Sequence, residues 1–128
     1  MKIGASGIIL KEKTVLFILR SKNASSYANC WTMPGGRGEI GETPEENVIR
    51  EVREEVHLEF TPEKIFKTYQ WRERTLFRFL GSWSGEIKLQ EEEVTQWKFY
   101  SYTETKELTV AFDYDEVVDM LFEQKLIE

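Results

Sequence analysis

Residues 35–58 read GGRGEIGETPEENVIREVREEVHL, a glycine-rich stretch that runs directly into an acidic stretch with regularly spaced aliphatic residues. Thr43, Pro44 and Glu46 predict the start of a helix. Threonine is a favoured N-cap, proline suits the first helical position, and a glutamate three residues after the cap completes a capping box. We expect this helix to run to about Val56.

Two faces are predicted for the helix at about 100° per residue. Aliphatic residues fall on one arc and indicate a core face, while Glu51, Glu54 and Glu55 fall on another. Like charges at this spacing repel one another, and the helix dipole disfavours anions in the last turn. That cost is offset if the carboxylates bind a hard divalent cation such as Mg²⁺ or Mn²⁺. The alternative is an acidic face that is simply solvated.

The stretch before the helix holds four glycines within residues 35–41, namely Gly35, Gly36, Gly38 and Gly41. Glycine permits positive φ and a close approach of the backbone to a ligand. Such a loop can direct carbonyl oxygens at a metal ion or N–H groups at a phosphate. The alternative is an ordinary surface loop.

Length and cysteine content limit the class of protein. A chain of 128 residues predicts one domain. The single cysteine, Cys30, excludes an internal disulfide and a cysteine-based zinc site, and it fits a reducing compartment, so we expect the cytoplasm. The first apolar run becomes polar at Lys11, too early for a signal peptide or a membrane span, so no membrane partner is expected.

Outside the acidic stretch, the pattern predicts short strands and further helical segments. Strands are expected at 3–10, 14–19, 31–33, 65–71, 75–83, 86–89 and 97–100, with a helical turn at 104–108 and a final helix at 115–125. The two aromatic strands on either side of Arg72 are expected to form a hairpin. Pro34-Gly35-Gly36 is expected to break the strand that precedes it. The fold class is therefore α+β, with strands before and after one central helix.

The polar positions of the opening stretch resemble the Nudix box: Gly36, five residues, Glu42, seven residues, and then Arg50-Glu51-Val52-Arg53-Glu54-Glu55-Val56-His57-Leu58. Trp31 and Pro34-Gly35 fit the flanks. The chain is thus similar to the Nudix hydrolase family, in its MutT-like form. The resemblance implies a single Nudix domain over residues 1–128, with a mixed β-sheet sandwiched between α-helices. His57 departs from the pattern, because the family usually has a glycine there that ends the helix.

The resemblance also implies a metal site. Glu51, Glu54 and Glu55 look like the metal-binding carboxylates, and Gly35 looks like a ligand through its backbone carbonyl. Glu91, the first of three consecutive glutamates, is expected to join them, although its two neighbours are alternatives and a charged, solvated loop is another.

Further roles follow from the same resemblance. Arg50 looks like the residue that holds a box glutamate in place, with Gly36, Glu39 and Glu42 supporting the loop and the box. The predicted catalytic residues are Glu51, Glu54 and Arg50. Glu51 is the first candidate for the general base, and a glutamate of the later loop is the second.

Candidate substrate contacts lie elsewhere in the chain. Arg20 stands where some relatives contact a phosphate, and one aromatic among Tyr27, Tyr69 and Phe112 could stack on a nucleobase. Asp113 is either the N-cap of the final helix or a residue that reads the base.

The resemblance implies Mg²⁺-dependent (or Mn²⁺-dependent) hydrolysis of a nucleoside diphosphate linked to another group. Nucleoside triphosphates are the leading substrate class, while ADP-ribose, dinucleoside polyphosphates and 5′-triphosphate RNA ends stay open. A non-catalytic nucleotide-binding module and a purely structural interaction domain are the other classes. The expected partner is a small nucleotide substrate, with no long nucleic acid, and the assembly is a monomer or a homodimer.

The net charge of −6 first suggests that phosphate-bearing partners are repelled. The segment from Glu39 to Glu59 contains eight acidic and two basic residues and so carries the whole excess. The negative charge is therefore concentrated on the loop and helix predicted to hold metal ions. A bound cation would turn this region from a repellent surface into a phosphate-binding one.

Overall fold

The computed structural model describes residues 2–128, in which strands and helices follow one another in a mixed α+β pattern. The elements are β1 (Ile3–Ile8), β2 (Leu10–Lys11), β3 (Thr14–Arg20), β4 (Trp31–Thr32), β5 (Gly35–Arg37), α1 (Pro44–Val56), β6 (Glu59–Trp71), β7 (Arg74–Ser84), β8 (Val94–Tyr100), α2 (Tyr102–Thr105) and α3 (Tyr114–Glu123). The predicted α+β class is confirmed. The chain divides into two compact units, one formed by residues up to Ile9 together with 34–90, and the other by residues 10–33 and 91–128.

The first unit is built on a four-stranded mixed sheet in the order β5-β1-β7-β6. Strands β1 and β7 run parallel, whereas β5 and β6 are antiparallel to their neighbours. The predicted hairpin is confirmed as β6 and β7, which are longer than expected and meet at a tight turn formed by Arg72 and Glu73.

Helix α1 covers one face of this sheet. Val48, Val52 and Val56 are fully buried, as the predicted core face requires. Gly7 of β1 lies beneath the helix, since a Cβ added there would be 3.1 Å from a methyl group of Val52. Burial of each such valine contributes on the order of 1.5–3 kcal/mol, so this apolar contact fixes α1 on the sheet.

Both ends of α1 agree with the sequence prediction. The Thr43 hydroxyl accepts from the backbone N–H of Glu46, whose carboxylate accepts from the N–H of Thr43, so the capping box is confirmed. The helix ends at Val56, and His57 adopts the left-handed conformation with φ 63° and ψ 30°. His57 therefore occupies the backbone position where glycine is the favoured residue.

The strand predicted at 86–89 is wrong. Residues 86–90 form no strand, and their backbone instead serves the end of α1: the N–H groups of Lys88 and Gln90 donate to the carbonyls of Val56 and Glu55, each at 3.0 Å. The last carbonyls of a helix have no partner within the helix, so a passing segment can satisfy them. Residues 86–90 therefore form hydrogen bonds with the end of α1 instead of pairing as a strand.

The predicted end of the strand before Pro34 is confirmed, because β4 ends at Thr32. The glycine-rich loop begins later than expected, because Gly35 and Gly36 belong to strand β5. A Cβ on Gly35 would lie only 2.3 Å from the carbonyl oxygen of Ala5 in β1. Glycine therefore permits a close strand pairing here that other residues would prevent.

The second unit is centred on β3, which pairs antiparallel with β2, β4 and β8. Phe17 of β3 is fully buried and makes edge-on contacts with Tyr100 and Tyr114.

The predicted helical turn at 104–108 is displaced, since α2 begins at Tyr102, directly after a capping box formed by Ser101 and Glu104. The final helix lies one to two residues earlier than predicted. Each helix found in residues 2–128 is too short or too polar to span a lipid bilayer.

The left-handed conformation of His57 gives a direct test of this helix end. Replacing His57 by glycine should raise the free energy of unfolding by about 0.5–1 kcal/mol, because a side chain at positive φ is strained and glycine is not. Urea denaturation of the wild type and His57→Gly measures the difference. A matched His57→Ala variant should be no more stable than the wild type, and a less stable glycine variant would contradict the assignment.

Candidate active site

The polar side chains of α1 lie in two rows along the helix. Asn47, Glu51 and Glu55 are spaced by four residues and contact strand β5, while Arg50 and Glu54 form a neighbouring row. Residues four apart stand above one another on a helix surface, so each row presents its polar atoms along one line. The first row meets the glycine strand, and the second meets the loop before the helix.

The contact between the first row and β5 depends on two glycines. The N–H of Gly35 donates to Oε1 of Glu55 at 2.9 Å. A Cβ on Gly36 would lie 2.4 Å from Oε2 of Glu51, so the Glu51 carboxylate occupies the space that any other residue would fill. The absence of side chains on β5 thus lets two carboxylates of α1 lie directly against the strand backbone.

Arg50 joins the second row to the loop. Its Nε and Nη2 donate to the two carboxylate oxygens of Glu42, at 2.7 and 3.0 Å. Its Nη1 donates to Glu51 at 2.8 Å and to Glu54 at 3.1 Å. A single guanidinium therefore binds one loop carboxylate in the bidentate geometry that arginine favours and also reaches two helix carboxylates.

Two further contacts attach the same arginine to the loop. Nη2 of Arg50 donates to the carbonyl of Arg37 at 2.9 Å, and a carboxylate oxygen of Glu39 lies 3.6 Å from Nε. The loop is also held internally, because the N–H of Glu39 donates to Glu42. The structure thus brings Arg50, Glu39, Glu42, Glu51 and Glu54 together, as the sequence grouped them.

The charges in this cluster shift one another's protonation. The hydrogen bond from Arg50 holds the pKa of the Glu42 carboxyl below its ordinary value, against the opposing effect of burial. The same hydrogen bond, helped by Glu51, raises the pKa of Arg50, so the guanidinium stays charged. The side chain of Glu42 is only 12% exposed, whereas that of Glu54 is 52% exposed. Glu42 therefore belongs to the support of the site, and Glu54 is open to a ligand from solvent.

A solvated acidic face does not describe this helix. Glu55 is 4% exposed, and the Glu51 side chain is 17% exposed. Carboxylates placed in such positions lose hydration and need partners, which Arg50 and the Gly35 N–H supply here. A solvated acidic face is therefore excluded for Glu51 and Glu55.

The donor chemistry suits a hard divalent cation, since the polar rows offer carboxylate oxygens beside a glycine backbone. Among residues 2–128, however, no three Asp, Glu, His or Cys side chains converge into a ready metal cage. Glu51 and Glu54 instead share the Nη1 group of Arg50. The residues present fit a cation by their chemistry, and the metal-ligand roles of Glu51, Glu54, Glu55 and Gly35 stay predictions.

The predicted loop ligand, Glu91, lies in the second unit, in an exposed turn formed by residues 91–93. The carbonyl of Glu93 accepts from the N–H of Ser21 at 2.9 Å, which attaches this turn to the end of β3. Which of the three glutamates contributes to a metal site stays a prediction.

The structure brings together two of the predicted substrate residues, Arg20 and Phe112, within the second unit. The Arg20 guanidinium lies 5.9 Å from the centre of the Phe112 ring, and its Nε donates to the carbonyl of Ser26. Tyr27 packs on Phe112 with ring centres 4.4 Å apart, and both residues have positive φ. Strained backbone of this kind is concentrated at functional sites. The role of Arg20, Tyr27 and Phe112 in substrate binding stays a prediction.

Asp113 is buried and occupies the N-cap position of α3, but its side chain makes no capping hydrogen bond. The predicted N-cap position is confirmed, and a role of Asp113 in reading the base stays a prediction. Asn47 is the residue that the sequence reading missed. The sequence feature that could have identified Asn47 is its position directly before Val48, the first aliphatic residue of the core face of α1.

Comparisons of sequence and of fold with known proteins point to the same family. The NUDIX domain family profile matches residues 1–121. The chain is 38% identical over 100 residues to the 8-oxo-dGTP diphosphatase of Escherichia coli (strain K12), covering 73% of this chain and 76% of that protein. It is 28% identical over 123 residues to the ADP-ribose pyrophosphatase of Methanocaldococcus jannaschii, covering 91% and 70% of the two chains. In fold it is similar to the MutT NUDIX hydrolase from Burkholderia pseudomallei, with a TM-score of 0.84 at 19% identity over 94% of this chain and 97% of that one.

The depressed pKa of Glu42 makes the stability of the site depend on pH. Because the folded state binds the Glu42 proton less tightly than the unfolded state, the stabilisation is complete above the ordinary pKa of 4.5 and is lost as the pH falls through the lower folded value. Glu42→Gln should therefore cost about 1.5–3 kcal/mol of unfolding free energy at pH 7, and this difference should shrink below pH 4.5.

Urea denaturation of the wild type and Glu42→Gln between pH 7 and pH 3.5 measures the effect. Glu59→Gln is the matched control, because Glu59 forms an exposed bidentate pair with Arg53 on the same helix. Glu59→Gln should lose less free energy of unfolding than Glu42→Gln. An equal or larger loss in Glu59→Gln, or a Glu42→Gln difference that does not change with pH, would contradict the role of the Arg50 cluster.

Proposed function

Because the chain belongs to the NUDIX domain family and is a Nudix hydrolase acting on nucleotide diphosphate substrates, we propose that it is a MutT-like nucleoside triphosphate pyrophosphohydrolase that requires Mg²⁺ or Mn²⁺. The 38% identity to an 8-oxo-dGTP diphosphatase over most of both chains supports this substrate class. A relative named as an ADP-ribose pyrophosphatase supports ADP-ribose as the second candidate. Dinucleoside polyphosphates and 5′-triphosphate RNA ends are further candidates.

The single observation that carries the proposal is the Arg50 cluster. One guanidinium holds Glu42, Glu51 and Glu54 at 2.7–3.1 Å, next to a strand whose glycines leave the backbone accessible to the helix. Oxygen donors fixed in this way are organised before a ligand arrives, which reduces the entropy that binding would otherwise cost. A cluster of acidic groups on one side of a phosphate requires a cation between them.

We assign Glu51, Glu54, Glu55 and the Gly35 carbonyl to the cation, while the contribution of Glu91 stays a prediction of the sequence. A bound Mg²⁺ would neutralise phosphate charge and lower the pKa of water. Glu51 is the preferred proton acceptor, because Arg50 and Gly36 fix its carboxylate in one place. The alternative base, a glutamate at 91–93, stays a prediction of the sequence. Arg50 acts by positioning Glu51 and Glu54 rather than by touching the substrate.

The distribution of charge supports the same proposal. The excess of negative charge lies between Glu39 and Glu59, the segment that contains the Arg50 cluster. Without a cation this segment repels phosphates. The proposed enzyme therefore binds nucleotides weakly in EDTA and loses its activity there.

A non-catalytic nucleotide-binding module is the alternative from another class. Loss of a box glutamate would favour it, and this chain keeps all of them. A cytoplasmic location, from the single Cys30, and a monomeric or homodimeric state stay predictions, as does the organisation of residues 1–128 as one domain.

A panel of nucleotides tests the proposal. dGTP, 8-oxo-dGTP, ADP-ribose, a dinucleoside tetraphosphate and a 5′-triphosphate RNA oligonucleotide are incubated with the wild type and Mg²⁺ or Mn²⁺, and the products are separated by chromatography. We expect pyrophosphate and a nucleoside monophosphate from at least one triphosphate, and no product in EDTA. Glu54→Gln should lower kcat by at least about 100-fold, since a lost metal ligand removes transition-state charge stabilisation.

Glu45→Gln is the matched control, because Glu45 is an exposed glutamate in the first turn of the same helix. Its kcat should stay within about twofold of the wild type, as expected for a surface substitution. Equal activity of the wild type and Glu54→Gln at saturating Mg²⁺ would refute the role of α1. Binding of nucleotides in a thermal-shift assay without any hydrolysis would favour the binding module.

A further inference from the structure

We propose that Asn47 is a positioning residue that fixes the Gly35-Gly36 dipeptide on α1 and thereby orients the carbonyl of Gly35. The inference rests on the proposed function, because that carbonyl is one of the groups assigned to the cation. Neither the box pattern nor the predicted core face gives Asn47 a role.

Asn47 is a polar residue in an apolar position. It is fully buried, directly before Val48, which is also fully buried. Its Nδ2 donates to the carbonyl of Gly36 at 3.3 Å. Its Oδ1 is buried and, within residues 2–128, accepts no hydrogen bond. A buried acceptor without a partner lowers stability, so stability alone does not account for an asparagine here.

The two ends of the glycine dipeptide are held by the same row of α1. Oε1 of Glu55 accepts from the N–H of Gly35, and Nδ2 of Asn47 donates to the C=O of Gly36. The peptide group between these two anchors contains the Gly35 carbonyl. Glycine has the greatest backbone freedom of any residue, and anchors on both sides restrict rotation of the peptide between them.

Glu51 lies between the two anchors on the helix. Its carboxylate occupies the space next to the Cα of Gly36, where an added Cβ would lie 2.4 Å from Oε2. A displacement of Gly36 would therefore displace the proposed base as well. Asn47 thus acts on two groups of the site without touching the substrate.

The loop that follows is held by the same side chain. A Cβ on Gly38 would lie 3.1 Å from Oδ1 of Asn47 and 2.6 Å from Ile3. The unpaired oxygen therefore faces a glycine Cα, where only a weak C–H···O contact can form. Asn47 spans the segment from Gly36 to Gly38, which connects β5 to the loop bound by Arg50.

The experiment compares Asn47→Ala and Asn47→Asp with Val48→Ala, a core substitution at the adjacent residue. Asn47→Ala removes both the anchor and the unpaired oxygen. Asn47→Asp keeps the size but replaces the donor by an oxygen facing the Gly36 carbonyl. Five quantities are measured: the thermal midpoint, amide hydrogen–deuterium exchange of residues 35–38 in the metal-free protein, the Mn²⁺ dissociation constant by electron paramagnetic resonance, and kcat and KM for the best substrate of the panel.

For Asn47→Ala we expect a thermal midpoint within about 3 °C of the wild type, or higher. Amide exchange of residues 35–38 should be at least severalfold faster. The Mn²⁺ dissociation constant should rise about 10-fold or more, the usual effect of losing a group that orients a metal ligand, and kcat should fall with little change in the nucleotide KM. Asn47→Asp should be impaired at least as much. Val48→Ala should lower the thermal midpoint and leave the Mn²⁺ dissociation constant unchanged.

Wild-type exchange and Mn²⁺ affinity in Asn47→Ala would overturn the inference while leaving the proposed function intact. A Val48→Ala variant that loses Mn²⁺ affinity as strongly as Asn47→Ala would also overturn it, because general destabilisation would then explain both. A wild-type protein that neither binds Mn²⁺ nor hydrolyses any nucleotide would refute the proposed function, and the role of the Gly35 carbonyl with it.

Discussion

The hydrogen bonds of Arg50 are the interaction on which the site depends. Glu42, Glu51 and Glu54 would repel one another if they were left together without a cation. Arg50 donates to all three and to the carbonyl of Arg37, so one positive charge offsets part of their repulsion and one side chain joins the loop to the helix. The fork geometry of the guanidinium allows this combination, which a lysine ammonium could not provide.

The elements determined by local interactions could be predicted from the sequence. The start of α1 follows from Thr43 and Glu46, and its end follows from the last aliphatic residue of the core face. The box spacing also grouped Arg50 with the loop glutamates correctly, because residues on one helix and the loop beside it are close in the chain.

The features that depend on long-range contacts could not be predicted. Gly35 and Gly36 were expected to lie in a loop, yet they form a strand that pairs with β1, whose backbone lies too close to Gly35 for a side chain. Residues 86–89 were predicted to form a strand, but Lys88 and Gln90 instead supply N–H groups to the end of α1. The burial of Glu55 and the contact of Asn47 likewise depend on where β5 lies, which no local pattern specifies.

We infer that Arg50 acts by the geometry of its guanidinium fork and not by its charge alone. Measurement of kcat for Arg50→Lys, with Mg²⁺ and the best substrate of the panel, tests this claim most directly. Arg53→Lys is the control, since Arg53 makes a comparable bidentate contact with Glu59 on the exposed side of α1. Arg50→Lys should stay folded and lose about 100-fold or more in kcat, while Arg53→Lys should keep wild-type activity. Wild-type kcat in Arg50→Lys would contradict it.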